Sequence, residues 1–204
     1  MPEEKSEVRS LVLPLEKRAS EEGSVTIFGY AAVFNEDTNI ADAFIEKVAP
    51  GAFTETLERH DVLAYFGHDR NRVLGRASSE TLRLREDDRG LFVEIDLPET
   101  SDGMDARQLI DRGDIKGMSF GFRVTKEEWD ETGDMPERTI LQVELREVSI
   151  VSEPAYEGTS IALRSLDNAR KEKKRTNFNA AALRRSMKLG VDTRDLESRQ
   201  QVKN

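Results

Sequence analysis

Alternating apolar and polar residues predict that most of this chain is made of β-strands. The predicted strands cover residues 8–15, 24–34, 73–85, 91–97, 117–126 and 138–151, with a last short strand at 159–164. Residues 62–67 are a short apolar run that ends in Gly67. Leu82 and Leu84, for example, would lie on one face of their strand, with the neighbouring arginines on the other. Residues 86–90, with the sequence Glu-Asp-Asp-Arg-Gly, are typical of a turn, so the strands on either side of it are predicted to form a hairpin.

Two short helices are predicted between the strands. Pro50 would open the first helix. Thr100 or Ser101 would cap the second, and Gly113 would end it. Six or seven strands with inserted helices, and no visible βαβ repetition, predict an α+β fold. We expect a mainly antiparallel, closed or nearly closed β-barrel ringed by short helices.

The C-terminal part of the chain differs from the rest in pattern and in charge. The net charge of all 204 residues is −9, yet the residues from Arg164 onward include 12 Lys and Arg against 5 Asp and Glu. The sequence predicts an N-terminal arm over 1–7, a domain over 8–165 and a basic tail over 166–204. A basic helix is expected to about residue 190, followed by a disordered end. The tail is either a segment with its own partner or simply a solvated one.

Composition limits the classes of function. The chain has no cysteine, which excludes disulfides, thiolate catalysis and Cys-type zinc sites. Its two histidines lack the spacing of a metal hydrolase, and no Walker loop or Gly-rich dinucleotide motif is present, so no metal or cofactor is expected. The acidic opening residues and the lack of a long apolar run predict neither a signal peptide nor a membrane span. We therefore expect a soluble protein of a reducing cytosol.

The two histidines are the first candidates for a general base. His60 lies at the end of a predicted helix, where exposure is expected. His68 follows the apolar residues 62–66, and a polar residue at the mouth of a buried strand is better placed for catalysis. The alternative is that both are ordinary surface histidines.

Ser119 is a candidate nucleophile. Alternation would place Phe120 and Phe122 on one face of the strand and Ser119 on the other. Because residues 117 and 121 are glycines, the face with the serine would be uncrowded, and a substrate backbone would be able to approach it. The alternative is a small residue that faces a crowded barrel interior.

Glu147 is a candidate partner for a catalytic histidine. Alternation would place Glu147 on the same face as Leu145 and Ser149, in a mainly apolar register. A buried carboxylate needs a hydrogen-bonding partner, and an imidazole N–H would serve, as in a Ser–His–acid site. The alternative is an edge-strand glutamate paired with Arg123 or Arg138.

Seven short motifs occur in order over residues 8–165. They are Gly-Tyr-Ala-Ala-Val-Phe-Asn at 29–35, Pro-Gly-Ala-Phe at 50–53, Gly-His-Asp at 67–69, Arg-Gly-Leu at 89–91, Thr-Ser-Asp-Gly at 100–103, Gly-Met-Ser-Phe-Gly-Phe at 117–122 and Leu-Arg-Glu-Val-Ser-Ile-Val-Ser-Glu-Pro-Ala-Tyr at 145–156. Each motif alone is weak. Together and in this order they resemble the prohead serine proteases of tailed bacteriophages.

The resemblance implies a fold related to herpesvirus assemblin, with Ser119 as nucleophile, His68 as general base and Glu147 as the third member. It implies a serine endopeptidase that cleaves scaffold, or the scaffolding segment of the major capsid protein, and that often cleaves itself. The enzyme would act inside the immature head in the host cytoplasm. Its partners would be the capsid protein and further copies of itself, with no nucleic acid or membrane required. The rival from another class is a non-enzymatic scaffold or chaperone that binds capsid subunits through charged surfaces.

Overall fold

The computed structural model describes residues 6–19, 25–153 and 161–176, together with residues 178, 180, 181 and 184. The chain divides into two compact units, residues 1–161 and residues 162–204. The described part of the first unit contains eleven strands and two α-helices. The strands are β1 (Glu7–Leu11), β2 (Glu16–Ala19), β3 (Val25–Val33), β4 (Thr38–Ile40), β5 (Phe44–Val48), β6 (Leu63–Phe66), β7 (Asp69–Arg76), β8 (Leu82–Glu86), β9 (Gly90–Asp96), β10 (Gly117–Asp130) and β11 (Glu137–Val151), and the helices are α1 (Thr54–Arg59) and α2 (Ser101–Arg112).

The described strands form two sheets. The first has the order β1-β10-β11-β5-β4, with β6 paired to β11 and to β7, and the second has the order β2-β3-β9-β8. β11 is long enough to pair in parallel with β5 along one half and with β6 along the other. The first sheet therefore branches at β11. The α+β class is confirmed, but the closed barrel is wrong for the residues that the structure describes.

Several predicted elements are found with changed boundaries. The hairpin around residues 86–90 is present as β8 and β9. The second helix is capped by Thr100, whose hydroxyl accepts from the Gly103 N–H, and it ends at Gly113 with a φ of 78°. The predicted strand 73–85 is instead two strands, because a 3-10 turn at Ala77–Ser79 separates them. β2, β4 and β5 were not predicted.

The described residues of the C-terminal region are helical. Residues 161–176 form a helix that overlaps the basic helix predicted from residue 166. The strand predicted over 159–164 is wrong at 161–164, and residues 159 and 160 lie outside the described residues. The predicted disordered end and residues 1–5 of the predicted arm also lie outside them, and the predicted domain boundaries stay predictions. No described helix combines the length and the apolarity needed to cross a membrane.

Aromatic side chains from α1 and β10 form the centre of the apolar core. The rings of Phe53 and Phe120 meet edge-on with centroids 5.5 Å apart. Phe122 stacks on Phe120 with centroids 4.8 Å apart. All three are buried, so one face of β10 is anchored in the core by aromatic residues, as alternation predicts. The opposite face of β10 carries Ser119.

A cluster of ionised side chains is buried beside this core. Arg138 is 1 % exposed and donates to Glu7, Glu46 and Glu127 at 2.6–2.9 Å. Arg9 donates to Glu7 and Glu46 in addition. Burial opposes the charge of Arg138, but hydrogen bonding to Glu7 and the surrounding carboxylates outweigh burial and raise its pKa. The cluster joins β1 to β5 and β11.

Candidate active site

A two-residue turn between β6 and β7 carries His68. Phe66 and Asp69 pair directly, so Gly67 and His68 are the central residues of the turn. Their φ angles are 60° and 63°, as in a type I′ turn. Non-glycine residues seldom adopt positive φ, and those that do are often found at functional sites. The Gly67 N–H donates to the carbonyl oxygen of Ile150 (3.0 Å), which fixes the turn beside β11.

The imidazole of His68 is hydrogen-bonded to the carboxylate of Glu147. Nδ1 lies 2.6 Å from Oε1, and the two side chains are 26 % and 15 % exposed. With an ionised carboxylate as acceptor, Nδ1 is the hydrogen-bond donor, and in the neutral form of the ring Nε2 then keeps its lone pair. Nε2 is buried and has no hydrogen-bond partner among the described residues. The pair therefore presents a base whose accepting nitrogen is unused.

A β-bulge in β11 determines which way Glu147 points. Gly121 pairs with Glu147, whereas the next residue of β10, Phe122, pairs with Leu145, so Arg146 is the inserted residue. Leu145 thus enters the core beside Phe122, and Glu147 lies on the other face of the sheet. The prediction that Glu147 and Leu145 share a face is wrong, because strict alternation fails at the bulge.

Ser119 lies on the same face of the sheet as Glu147, but it is fully buried. It pairs with Ser10 of β1 on one side and with Ser149 of β11 on the other. Its exposed fraction is 0 %, and its hydroxyl donates to the main-chain carbonyl oxygen of Arg9 (2.9 Å). The hydroxyl is therefore held by β1, and the expected hydrogen bond from Ser119 to the histidine is not formed.

The glycines that flank Ser119 make room for the protein itself. A Cβ at position 117 would collide with the carbonyl oxygen of Leu11. A Cβ at position 121 would lie 2.6 Å from Oε1 of Glu147 and 3.0 Å from its Cγ. The prediction of an uncrowded face around Ser119 is wrong, because β1 and the Glu147 side chain occupy that space.

Sequence reasoning missed the role of Ser149. Its hydroxyl donates to Oε2 of Glu147 (2.6 Å) and accepts from the main-chain N–H of His68 (3.3 Å). Alternation places Ser149 on the face of Glu147, and Ser149 lies within the motif at 145–156, but neither observation gives it a role. Of the three sequence-predicted residues, His68 and Glu147 are in contact, and Ser119 lies on the neighbouring strand without a hydrogen bond to His68.

The alternative partners of Glu147 are occupied elsewhere. Arg123 donates to Glu144 (3.0 Å from Nε), and Arg138 belongs to the buried cluster. The hydrogen bond from Arg123 lowers the pKa of the Glu144 carboxyl, although partial burial acts in the opposite direction. His60 follows the last turn of α1 and is exposed, as predicted.

An open cavity lies against Glu147. Carboxylates and arginines are both among its lining residues, which are His60, Asp61, Tyr65, Arg70, Glu144, Leu145, Arg146 and Glu147. Because both signs of charge are present, the cavity offers hydrogen-bond donors and acceptors next to the His68–Glu147 pair.

Replacing Gly121 by alanine is expected to disturb the site more than the fold. The new Cβ would come within 2.6–3.2 Å of Oε1, Cγ and Cδ of Glu147, so this side chain has to shift and no longer holds His68. We expect kcat to fall about 100-fold, the scale for a misplacement of about 1 Å. Gly133→Ala is the control, since the nearest atom to its Cβ would be 3.8 Å away. An unchanged rate in Gly121→Ala would contradict this view of Glu147.

A histidine that donates to a carboxylate through Nδ1 and leaves Nε2 free occurs in serine hydrolases of unrelated folds. Comparison with protein families gives the same class. The model of the caudovirus prohead serine protease family matches residues 13–172. The match covers more than half of the chain, so the chain belongs to this family.

Two curated relatives carry the name prohead protease. The protein of Escherichia phage T5 is 34 % identical over 146 residues, which are 71 % of this chain and 65 % of the relative. The protein of Enterobacteria phage HK97 is 34 % identical over 155 residues, which are 72 % of this chain and 64 % of the relative. The chain thus spans slightly less than two thirds of each relative. No solved structure matches, so the relation to assemblin stays a prediction.

Proposed function

We propose that this chain is a serine endopeptidase that cleaves scaffold, or the scaffolding segment of the major capsid protein, during phage head maturation. Family membership supports the class of reaction, and the names of the T5 and HK97 relatives support the prohead as its place in the host cell. The observation that carries the proposal is the His68–Glu147 hydrogen bond, which leaves Nε2 without a hydrogen-bond partner among the described residues.

In the proposed reaction the hydroxyl of Ser119 leaves the carbonyl oxygen of Arg9 and turns to Nε2 of His68. Nε2 takes the proton as Oγ bonds to the carbonyl carbon of the scissile peptide, whose oxygen becomes an oxyanion. Glu147 stabilises the imidazolium. The oxyanion then collapses, the C–N bond breaks, and Nε2 returns the proton to the leaving amine. Nε2 then takes a proton from a water molecule as the water oxygen bonds to the acyl carbon. The bond from this carbon to Oγ breaks, and Nε2 returns the proton to Oγ of Ser119.

Burial of Ser119 makes a local rearrangement part of the proposal. A fully buried hydroxyl does not meet a peptide until the chain around it moves. β1 is the strand that supplies the carbonyl oxygen of Arg9, so this strand holds the hydroxyl in its resting position. The cavity against Glu147 is the proposed approach for the substrate.

Further parts of the proposal concern the tail and the partners. The basic residues after 165 would tether the enzyme inside the prohead and be lost on self-cleavage, and the capsid protein and other copies of the enzyme would be its partners. A fold related to assemblin belongs to the same proposal. The rival, a non-enzymatic head protein, gives no reason for a histidine paired with a carboxylate, and family membership does not favour it.

His68→Asn is expected to abolish processing while it preserves the turn. Asparagine tolerates positive φ and is favoured in type I′ turns, so the hairpin is retained and the base is lost. Loss of one member of such a site lowers kcat by about 10⁴-fold or more. The test is co-expression with the capsid protein of the same phage, followed by mass analysis of the products, including cleavage products of the enzyme itself.

Glu80→Asn is the matched control for this substitution. Glu80 has a φ of 59° and is exposed in the 3-10 turn after β7, so it undergoes a similar change away from the site. We expect the control to process capsid protein like the wild type. Normal processing by His68→Asn would refute the proposed function.

A further inference from the structure

Ser149 is a buried serine that joins the proposed base to the proposed acid. It is 1 % exposed, and its hydroxyl accepts from the His68 N–H (3.3 Å) and donates to Oε2 of Glu147 (2.6 Å). We propose that Ser149 is a positioning residue for hydrolysis, which acts by fixing Glu147 and the turn of His68 in one arrangement. The inference rests on the proposed function of this site.

The hydroxyl of Ser149 fixes the orientation of the carboxylate. The terminal torsion of a glutamate is broad, so a single hydrogen bond leaves the carboxylate free to rotate. Here Oε1 accepts from His68 and Oε2 accepts from Ser149, which engages both oxygen atoms. Without Ser149, Oε2 loses the hydrogen bond that opposes rotation.

The same hydroxyl holds the main chain of His68. Positive φ at a histidine persists only where the surroundings determine it. Two N–H groups of the turn donate to β11: that of Gly67 to the carbonyl oxygen of Ile150, and that of His68 to Ser149. Ser149 therefore couples the position of the imidazole ring to the position of the acid, both through β11.

Ser149 is better suited to hold the site than to act as its nucleophile. Its hydroxyl already joins the turn of His68 to the carboxylate of Glu147, and it would have to give up the hydrogen bond to Glu147 to reach Nε2. A positioning role uses both hydrogen bonds of Ser149 as they stand.

We expect Ser149→Ala to lower kcat about 100-fold with little change in KM, because the groups are misplaced while the substrate still binds. A second measurement is the NMR signal of the Nδ1 proton. The chain has two histidines, so the imidazole signal that remains in His60→Asn belongs to His68. In Ser149→Ala this signal should shift upfield or be lost to exchange with water. Overall destabilisation alone lowers the melting temperature without moving the signal of a folded protein.

Ser10→Ala is the matched control. Ser10 is another buried serine on this face of the sheet, and its hydroxyl has no partner among the described residues. We expect Ser10→Ala to keep kcat within a few-fold and to leave the His68 signal unchanged. A wild-type kcat and an unchanged signal in Ser149→Ala would overturn the role of Ser149.

Ser149→Thr and Ser149→Val keep the test decisive if the alanine variant does not fold. The two side chains have nearly the same shape and differ in the hydroxyl. Activity in the threonine variant and its loss in the valine variant would support the role of Ser149, and equal activities would refute it. If the proposed function itself is wrong, His68→Asn processes the capsid protein like the wild type. That result distinguishes failure of the proposed function from failure of the role of Ser149.

Discussion

Ser119→Ala is expected to lose about 10⁴- to 10⁶-fold in the rate of peptide hydrolysis and to stay folded. The range is that found when the nucleophile of a serine peptidase is removed. Alanine fits the space of Ser119 and removes one hydrogen bond, to the carbonyl oxygen of Arg9, which contributes about 1 kcal/mol. The rate is measured on purified capsid protein or on a peptide from its scaffolding segment, and folding is measured by thermal melting.

Ser10→Ala is the control for this prediction as well. Ser10 and Ser119 pair directly across β1 and β10, and both are buried. We expect the alanine variant at position 10 to hydrolyse substrate at nearly the wild-type rate. If Ser10→Ala is silent and Ser119→Ala is active, the nucleophile has been assigned to the wrong strand.

Arg138→Met is expected to destabilise the protein by about 3–5 kcal/mol, the usual cost of removing one partner from a buried ionic cluster. The substitution leaves Glu7 and Glu46 buried, at 2 % and 3 % exposure, with Arg9 as their remaining cation. The melting temperature should fall on the order of 10 °C. Since total stability is about 5–15 kcal/mol, we expect part of the population to be folded only at low temperature.

Arg83→Met is the matched control, since Arg83 also makes two hydrogen bonds to a carboxylate, that of Asp96, but at the surface. Exposed ion pairs contribute about 0–1 kcal/mol, so a small change in melting temperature is expected. Equal effects of the two substitutions would show that the buried cluster does not hold β1 in place. The cluster matters for the site because β1 carries the carbonyl oxygen that holds Ser119.

The local pattern of the sequence predicts much of the fold, but not the way the sheets connect. Apolar alternation identifies β3, β9 and β10, and capping residues identify α2. Closure of a barrel depends on which strands pair, and β11 takes two parallel neighbours that are distant in sequence. The short strands β4 and β5 have no strong pattern of apolar residues of their own. They are stabilised by pairing, β4 with β5 and β5 with β11.

The candidate site is predicted in its residues but not in its geometry. Scarcity of histidine and the ordered motifs single out His68, Ser119 and Glu147. The bulge at Arg146 decides on which face of the sheet the Glu147 side chain lies. Strict alternation of side chains between the two faces of a strand does not reveal such a bulge. Ser149 gains its role only when the turn of His68 packs against β11, a contact between residues 81 positions apart.

The central claim is that Ser119 is the nucleophile that His68 activates. Reaction with a fluorophosphonate, followed by peptide mass mapping, tests it most directly, because this reagent forms a covalent bond with an activated serine. The account predicts one labelled site, at Ser119, and loss of labelling in His68→Asn. Labelling of Ser10 or Ser149 instead, or labelling of Ser119 that does not depend on His68, would contradict it.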